Sequence, residues 1–292
     1  MSERRACVVV EQHRSTQRYR AKPVEDEKRL VQDLHRLAGA HPRYGSPRIT
    51  ALLRREGWRV NHKRIERLWR REGLKVPQKQ RRWRRKGHSA NSCTRRRAER
   101  RNHVWSYDFI FDRTEEGRAL KILSIVDEYT RECLVLHAAR RIPARDVIAL
   151  LQALIAERGP PEYLRSDNGP EFIAKALEQW ILGNHIHTLF IAPGSPWENA
   201  YVESFHSRLR DEVLNAELFP TLTEARWVLA RYKKEHNEER PHSSLKWQTP
   251  REFAGGGASS AGALASLRLR TRLPKITHFQ LVEAKGGGDE DR

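Results

Sequence analysis

The spacing of apolar residues changes near residue 102, and this change constrains the fold more than any other feature of the sequence. Before it, apolar positions recur every three or four residues, as at Leu30, Leu34 and Leu37, which is typical of amphipathic helices. After it, short β-rich runs come first and then alternate with amphipathic helical segments. We therefore predict an all-α module over residues 1–74 and a larger α/β domain over residues 102–254.

Two helices of the first module have clear start and stop signals. Ser46 can cap and Pro47 can open the first of them, which Gly57 ends. Asn61 is a good N-cap for the second helix, which Gly73 ends. A short glycine-containing turn before a strongly basic helix predicts a helix-turn-helix, and a helical bundle with a merely solvated charged face is the alternative. The motif spans about 46–73, and its predicted DNA contacts are His62, Lys63, Arg64, Arg67, Arg70 and Arg71.

The positive charge of the chain is concentrated in its first third. Residues 1–101 contain 31 Lys/Arg and 10 Asp/Glu, whereas residues 102–292 contain 25 and 27. Such a basic segment attracts a polyanion through counterion release, so double-stranded DNA is the predicted partner. A membrane surface is a weaker alternative, because no stretch approaches the roughly 18 apolar residues of a spanning helix and Arg dominates over Lys.

Residues 75–101 contain 12 Lys/Arg and one Glu with almost no periodicity, which predicts a basic linker. The indole of Trp83 can stack on bases while the surrounding cations follow phosphates. A disordered solubilising spacer is the alternative, and the two interpretations are compatible. The predicted DNA contacts of the linker are Arg81, Arg82, Trp83, Arg84 and Arg85.

The second domain is predicted to be a mixed sheet covered by helices on both faces, because three strands precede alternating helices and strands. Beyond it, a stretch rich in Gly and Ser indicates a flexible tail over residues 255–292. The three cysteines form no close pair, which argues against a disulfide framework or a four-cysteine zinc site. No secretory signal pattern is recognisable, so we expect a cytoplasmic protein that associates with the DNA of the cell when it binds.

Two aspartates of this domain are candidates for chemistry. Asp108 lies within the first predicted strand, where an acidic residue is costly to bury unless it is paired or metal-bound. Asp167 ends the fourth predicted strand, and the turn residues Asn168 and Gly169 leave its carboxylate at the carboxyl edge of the sheet. Sites in α/β proteins tend to lie at that edge.

A third carboxylate, Glu203, follows Asp167 with 35 residues between them, on a helix predicted over 197–214. Asn199, Glu203 and Arg210 are spaced by four and seven, so they share one helix face, which should point toward the two aspartates. Three carboxylates drawn together repel one another unless a divalent cation balances their charge. Oxygen ligands favour Mg²⁺ or Mn²⁺ over zinc, and two such ions suit an in-line phosphoryl displacement.

Several motifs together carry a family resemblance over about residues 1–254. VWSYDF, SDNGPEF and PGSPWENAYVESF resemble the transposases of bacterial insertion sequences. More narrowly, they resemble the second-open-reading-frame protein (OrfB) of the insertion-sequence-three family, in the superfamily that includes retroviral integrases. YGSPRITALLRREGWRVNHKRIERLWRREGLK is similar to that family's second helix-turn-helix, and NEERPHSSLKWQTPREF to its segment after the catalytic core.

This resemblance implies a ribonuclease-H-like fold, with Asp108, Asp167 and Glu203 as ligands of the metal ions in a DDE-type transposase. Arg210 falls where the family carries a basic residue that contacts the transposon end, and a surface ion pair is the alternative. Asn199 is expected to orient Glu203, to touch DNA or to cap its helix. Water would first cut one strand at an element end, and the released 3′-hydroxyl would then attack another phosphodiester.

The resemblance also concerns partners. Active members of the family carry an upstream portion, made by frameshifting, with a helix-turn-helix and a leucine zipper. No heptad repeat precedes MSERRAC. We therefore expect the chain to work with the upstream reading-frame product, or fused to it, and as a homo-oligomer on DNA.

Three other functions remain open from the sequence. The chief alternative is a catalytically silent DNA-binding regulator of transposition. A retroviral-type integrase would need an amino-terminal zinc module with paired His and Cys ligands, and Cys7 and Cys93 are too far apart to supply one. A ribonuclease-H-like nuclease acting on RNA hybrids would not need a helix that enters the major groove.

Overall fold

The computed structural model describes residues 2–19, 25–76, 97–166, 175–190 and 199–256. The chain forms one compact unit, Met1–Ala254, and a second unit, Gly255–Arg292. Some predictions lie outside the described residues. They concern most of the linker, almost all of the tail, and the residues Asp167, Arg81, Arg82, Trp83, Arg84 and Arg85.

The described part of the helical module contains α1 (Glu3–Val9), α2 (Arg14–Gln17), α3 (Glu27–Ala40), α4 (Ser46–Arg55) and α5 (His62–Arg71). Asn61 caps α5 as predicted, because its side chain accepts a hydrogen bond from the backbone N–H of Lys63 at 3.0 Å. The prediction that Ser46 caps α4 is wrong: Gly45 has the extended backbone of an N-cap, and Ser46 is already helical. Gly57 and Gly73 follow α4 and α5 with φ of 96° and 67°, a left-handed conformation that favours glycine at a helix end.

Helices α3, α4 and α5 enclose the apolar core of this module. Ile65, Leu68 and Trp69 of α5 are buried, which turns its basic residues outward. The core residues are Leu30, Leu34, Leu37, Tyr44, Ile49, Leu53, Val60, Ile65, Leu68 and Trp69.

The second domain is built on a mixed sheet, as predicted. Its strands are β1 (Val104–Arg113), β2 (Ala119–Asp127), β3 (Cys133–Ala139), β4 (Tyr163–Ser166) and β5 (His187–Phe190). The strand order is β3-β2-β1-β4-β5. The first three strands are antiparallel, and β4 runs parallel to both β1 and β5. Strand β1 therefore lies at the centre of the sheet, with β2 on one side and β4 on the other.

Helices cover both faces of this sheet. They are α6 (Ala144–Arg158), α7 (Lys175–Gly183), α8 (Ala200–Leu209), α9 (Leu222–Glu238) and α10 (Pro250–Ala254). A π turn, Arg210–Leu214, continues α8. Because side chains alternate along β1, Trp105 and Phe109 pack with α6 and α7, whereas Ile110 packs with α8 and α9.

A buried charged junction joins the helical module to the α/β domain; it consists of Tyr44, Arg48, Glu212 and Arg240. Tyr44 is 3% and Arg240 is 1% exposed. The Arg240 guanidinium donates a hydrogen bond to the Glu212 carboxylate, and the Arg48 guanidinium lies 3.7 Å from the same group. The Arg48 and Arg240 guanidinium carbons lie 4.5 and 5.6 Å from the centre of the Tyr44 ring. The helix-turn-helix is thereby held against the π turn.

Two further sequence expectations concern cysteines and membranes. Cys7 and Cys133 are buried free thiols, and Cys93 lies outside the described residues. In the part of the chain that the structure describes, no helix has both the length and the apolar composition needed to cross a membrane.

Candidate active site

Asp108 lies in the middle of β1, opposite Ser124 of β2 in the antiparallel register. Its carboxylate accepts a hydrogen bond of 2.7 Å from the backbone N–H of Phe109. The His206 Nδ1 atom lies 3.6 Å from the Asp108 carboxylate, and His206 Nε2 lies 2.6 Å from the Ser124 hydroxyl. The Ser124 hydroxyl donates in turn to the backbone carbonyl of Asp108 at 3.2 Å. Asp108 is therefore oriented from its own strand and from α8.

One face of α8 and the π turn carries Asn199, Glu203, His206 and Arg210, at helical spacings of four, three and four. Two of these residues contact β1. His206 approaches Asp108, and the Arg210 guanidinium donates a hydrogen bond of 3.4 Å to the backbone carbonyl of Phe111. The face that bears Glu203 thus lies along the central strand.

Glu203 itself is exposed in the first turn of α8. Within the described residues its carboxylate has no hydrogen bond and no ion pair. An exposed carboxylate that has no protein partner there is available to a ligand that approaches from solvent.

Asp167 lies outside the described residues, but the strand that precedes it does not. Strand β4 ends at Ser166, and Arg165 of β4 pairs with Ser106 of β1 in the parallel register. Ser166 is fully buried. Among the described residues, which omit Asp167, no group of three His, Cys, Asp or Glu side chains is close enough to hold a metal ion.

His206 is the site residue that sequence reasoning missed. Burial, followed by the nearby charge of Arg210, lowers the pKa of His206 to about 4. The imidazole is therefore neutral at pH 7 and brings no positive charge to Asp108. The signal in the sequence was its position three residues after Glu203, on the face shared with Arg210.

The remaining predicted residues of α8 have different surroundings. Asn199 occupies the N-cap position of α8 without a side-chain capping bond. It is 3% exposed, and its side-chain oxygen has no hydrogen-bond partner. Arg210 is exposed, and its guanidinium makes only a weak hydrogen bond, to the Phe111 carbonyl, within the described residues. A DNA contact by either residue stays a prediction.

The basic residues of α5 divide into two groups. Within the described residues, His62 and Lys63 at the start of the helix have no hydrogen bond or ion pair through their side chains. The arginines are paired with acidic side chains. The pairs are Arg64 with Asp26 at 2.6 Å, Arg67 with Glu27 at 3.4 Å, Arg70 with Glu66 at 2.5 Å and Arg71 with Glu27 at 2.5 Å.

The pairs of Arg67, Arg70 and Arg71 involve side chains that are more than half exposed on the arginine. Water screens such exposed pairs and makes them weak, so these arginines can exchange their carboxylate for a phosphate.

Three family models match this chain. An HTH-like domain matches residues 25–82, and two integrase core domain models match residues 98–196 and 184–250. The fold agrees with these matches, because a helix-turn-helix precedes a mixed sheet flanked by helices. The predicted ribonuclease-H-like class is therefore confirmed.

Relatives among known proteins come from bacterial insertion elements. The 31.7 kDa protein of insertion element IS407 of Burkholderia multivorans is 40% identical over 268 residues, which cover 92% of this chain and 96% of that protein. The 39.2 kDa protein of insertion element IS476 of Xanthomonas euvesicatoria is 37% identical, over 87% of this chain and 72% of that protein. The transposase InsF for insertion sequence IS3A of Escherichia coli K12 is 25% identical, over 72% of this chain and 76% of that protein.

Among solved structures, the HTLV-2 integrase catalytic core domain in complex with magnesium aligns with a TM-score of 0.44 and 16% identity. The alignment covers 54% of this chain and 99% of that domain.

Proposed function

Because this chain belongs to the insertion-sequence-three family of transposases and functions in DNA transposition, we propose that it is the enzyme that cuts and joins the DNA strands. In this proposal Asp108, Asp167 and Glu203 are the catalytic carboxylates. The observation that carries it is the approach of His206 to Asp108, which brings the face that bears Glu203 along the central strand.

The donor atoms of the described residues fit a hard divalent cation. Asp108 and Glu203 supply carboxylate oxygens, which Mg²⁺ and Mn²⁺ prefer. His206 is neutral at pH 7, so it does not compete with a cation for Asp108. When bound between such carboxylates, a pair of Mg²⁺ ions would activate an attacking oxygen and stabilise a leaving one.

The side chains around the site have distinct parts in this proposal. The Phe109 N–H and His206 hold the Asp108 carboxylate in one orientation, which preorganises it before a ligand binds. Glu203 remains open to solvent, where DNA can reach it. Arg210, one helical turn beyond His206, is in a position to hold a phosphate of the transposon end beside the carboxylates.

We propose two successive reactions at this site. In the first, water attacks a phosphodiester at the element end and a 3′-hydroxyl leaves. In the second, that 3′-hydroxyl attacks another phosphodiester, so one P–O bond forms as another breaks. The active form is a homo-oligomer on DNA that includes the upstream reading-frame product or a fusion with it.

DNA is the partner of the helix-turn-helix module. We propose that His62 and Lys63 at the start of α5 make its first contacts, since their side chains have no protein partner in the described part of the chain. Arg64, Arg67, Arg70 and Arg71 would join them by releasing their carboxylates. Residues 1–74, 75–101 and 102–254 act in this proposal as DNA-binding module, basic linker and catalytic domain.

The direct test is strand cleavage and joining of end DNA by the full chain, with its upstream product, in Mg²⁺. We expect Asp108→Asn to lose at least about 10³-fold in rate, as removal of one member of a catalytic group does. The matched control is Asp112→Asn, four residues along the same strand. Equal activity of wild type and Asp108→Asn in Mg²⁺, with folding and DNA binding intact, would overturn the enzyme proposal and leave a DNA-binding regulator.

A further inference from the structure

A groove of about 610 Å³ lies between the helix-turn-helix and the loop that follows α9. Helix α4 lines it with Arg54 and Arg55, α5 with His62, and the loop with Lys246 and Trp247. We call it the α4–Trp247 groove. It joins residues of the helical module to a segment far along the chain, and it lies beside the first turn of the basic helix α5.

The two loop residues in this groove have an unusual backbone. Lys246 and Trp247 have φ of 54° and 67°, in the left-handed region that strains side chains other than glycine. Backbone hydrogen bonds hold the turn: the N–H of Trp247 donates to His242 at 2.8 Å, and that of Gln248 to Leu245 at 3.0 Å. A glycine would satisfy this backbone with less strain, so folding alone does not explain a lysine followed by a tryptophan here.

The side chains of the groove offer cations next to an aromatic surface. Lys246 and His62 are exposed and, within the described residues, have no hydrogen bond or ion pair through their side chains. Arg54 donates to the backbone carbonyl of Val60 at 3.0 Å and keeps its charge unbalanced by a carboxylate there. The Trp247 side chain lies at the surface, with 36% of the residue exposed.

The groove also contains features that weaken its positive charge. Arg55 donates a hydrogen bond to Glu252, and Glu66 lines the groove while it pairs with Arg70. Two cations, Arg54 and Lys246, remain against one carboxylate, Glu66, that already has a partner. The balance favours an anionic ligand.

We propose that the α4–Trp247 groove binds the DNA segment flanking the base pairs that α5 contacts, with Lys246 on a phosphate and Trp247 against a sugar or base. Cations that follow phosphates beside an aromatic side chain are a common way to bind a nucleic-acid strand. Because His62 belongs both to this groove and to the exposed start of α5, DNA on α5 passes the groove. The proposal rests on DNA binding by the helix-turn-helix and is independent of the carboxylate triad.

The test compares two labelled duplexes in fluorescence anisotropy with the full chain. The long duplex extends one helical turn beyond the segment that α5 contacts, and the short duplex ends there. We expect Trp247→Ala to weaken binding of the long duplex about 10-fold and to leave the short duplex unchanged. The matched control is Trp227→Ala, which removes another exposed tryptophan, on α9.

A second variant separates binding from folding. Lys246→Gly removes the charge but suits the left-handed backbone, so its melting temperature should equal or exceed that of wild type. We expect it to bind the long duplex less tightly and to reduce the slope of log Kd against log salt concentration by about 0.9. Wild-type affinity of Trp247→Ala and Lys246→Gly for the long duplex, or an equal loss with Trp227→Ala, overturns the proposal. Asp112→Asn, which lies outside both the groove and the carboxylate triad, should bind both duplexes as wild type does.

Discussion

Two glutamates nine positions apart, on α8 and its π turn, have opposite surroundings. Glu203 is exposed, and in the described part of the chain it has no protein partner. Glu212 is 11% exposed at its side chain, accepts a hydrogen bond from Arg240 and lies 3.7 Å from Arg48. The two glutamates therefore differ in how their charge is balanced. Arginines of the protein balance the Glu212 carboxylate, whereas the Glu203 carboxylate is accessible to a cation from solvent.

This difference separates stability from activity. A buried carboxylate between arginines cannot be removed without leaving a buried charge unpaired, so Glu212 should matter to folding. An exposed carboxylate without protein partners adds little to folding, so a requirement for Glu203 would come from a ligand. The first two of the following four experiments test whether the two residues divide in this way, and the other two concern histidines near each site.

The largest effect should come from Glu203→Gln. We expect strand cleavage in Mg²⁺ to fall at least about 10³-fold, because the amide cannot replace a charged metal ligand. The melting temperature should not change, since the Glu203 side chain has no partner in the described residues. Glu178→Gln, an exposed glutamate on α7, is the control for both measurements. A stable variant with normal cleavage would remove Glu203 from the active site.

Glu212→Gln should have the reverse profile. We expect a loss of about 3 to 5 kcal/mol in the free energy of unfolding, because Arg240 and Arg48 lose the carboxylate that balances them. Urea denaturation measures this loss, and Glu217→Gln is the control because its pair with Arg231, at 3.8 Å, is half exposed. Replacing both Glu212 and Arg240 by apolar residues should recover part of the stability. A loss no greater than that of the control would contradict a structural role for the charged junction.

His206→Ala tests the positioning of Asp108, and its effect should be smaller. We expect cleavage to fall about 10- to 100-fold, the usual range for a residue that orients a metal ligand. The Mg²⁺ concentration at half-maximal activity should rise as well, which a purely structural defect would not cause. The control is His13→Ala, in the N-terminal segment. An unchanged Mg²⁺ requirement would mean that Ser124 and Phe109 suffice to orient Asp108.

The smallest expected effect concerns the stability of the fold at acidic pH. Burial, followed by the charge of Arg240, lowers the pKa of His236 to about 3. In the unfolded chain His236 binds a proton near pH 6.5, whereas in the folded chain it stays neutral until about pH 3. The free energy of unfolding is therefore unaffected by this histidine above pH 6.5 and decreases as the pH falls from 6.5 toward 3.

Below pH 6.5 the loss approaches about 1.4 kcal/mol per pH unit for one such group. Urea midpoints at pH 7, 6 and 5 should therefore fall less steeply in His236→Gln than in wild type. Equal slopes in the two proteins would show that His236 does not remain neutral in the folded state.

Local sequence signals predicted most of the fold. The spacing of Leu30, Leu34 and Leu37 identified α3, and Asn61 and Gly73 marked the two ends of α5. The mixed sheet and its flanking helices were also predicted, because apolar periodicity and turn residues act within a few positions of each other. The helices α1 and α2 were not, since they are short and largely polar.

The same local signals predicted only some of the residues of the candidate site. They selected Asp108 and Glu203, but the contact of His206 with Asp108 joins positions 98 residues apart, and no local period records it. The charged junction was missed for the same reason: Arg240 lies just after α9, and nothing near it in the sequence indicates Glu212 or Tyr44 as its neighbours. Contacts between distant side chains depend on how the helices and the sheet pack, and the local patterns of a single sequence do not predict that packing.

The π turn Arg210–Leu214 has a consequence for helical phase. In an uninterrupted α-helix, positions 203 and 212 would lie about 180° apart around the axis, since each residue advances by about 100°. A π turn accommodates an extra residue and so takes back part of that rotation. The helix face that carries Glu212 and meets the helix-turn-helix is thereby rotated toward the face that carries Glu203. A one-residue deletion in this turn would change the angle between the DNA-reading module and the carboxylates while leaving both of them intact.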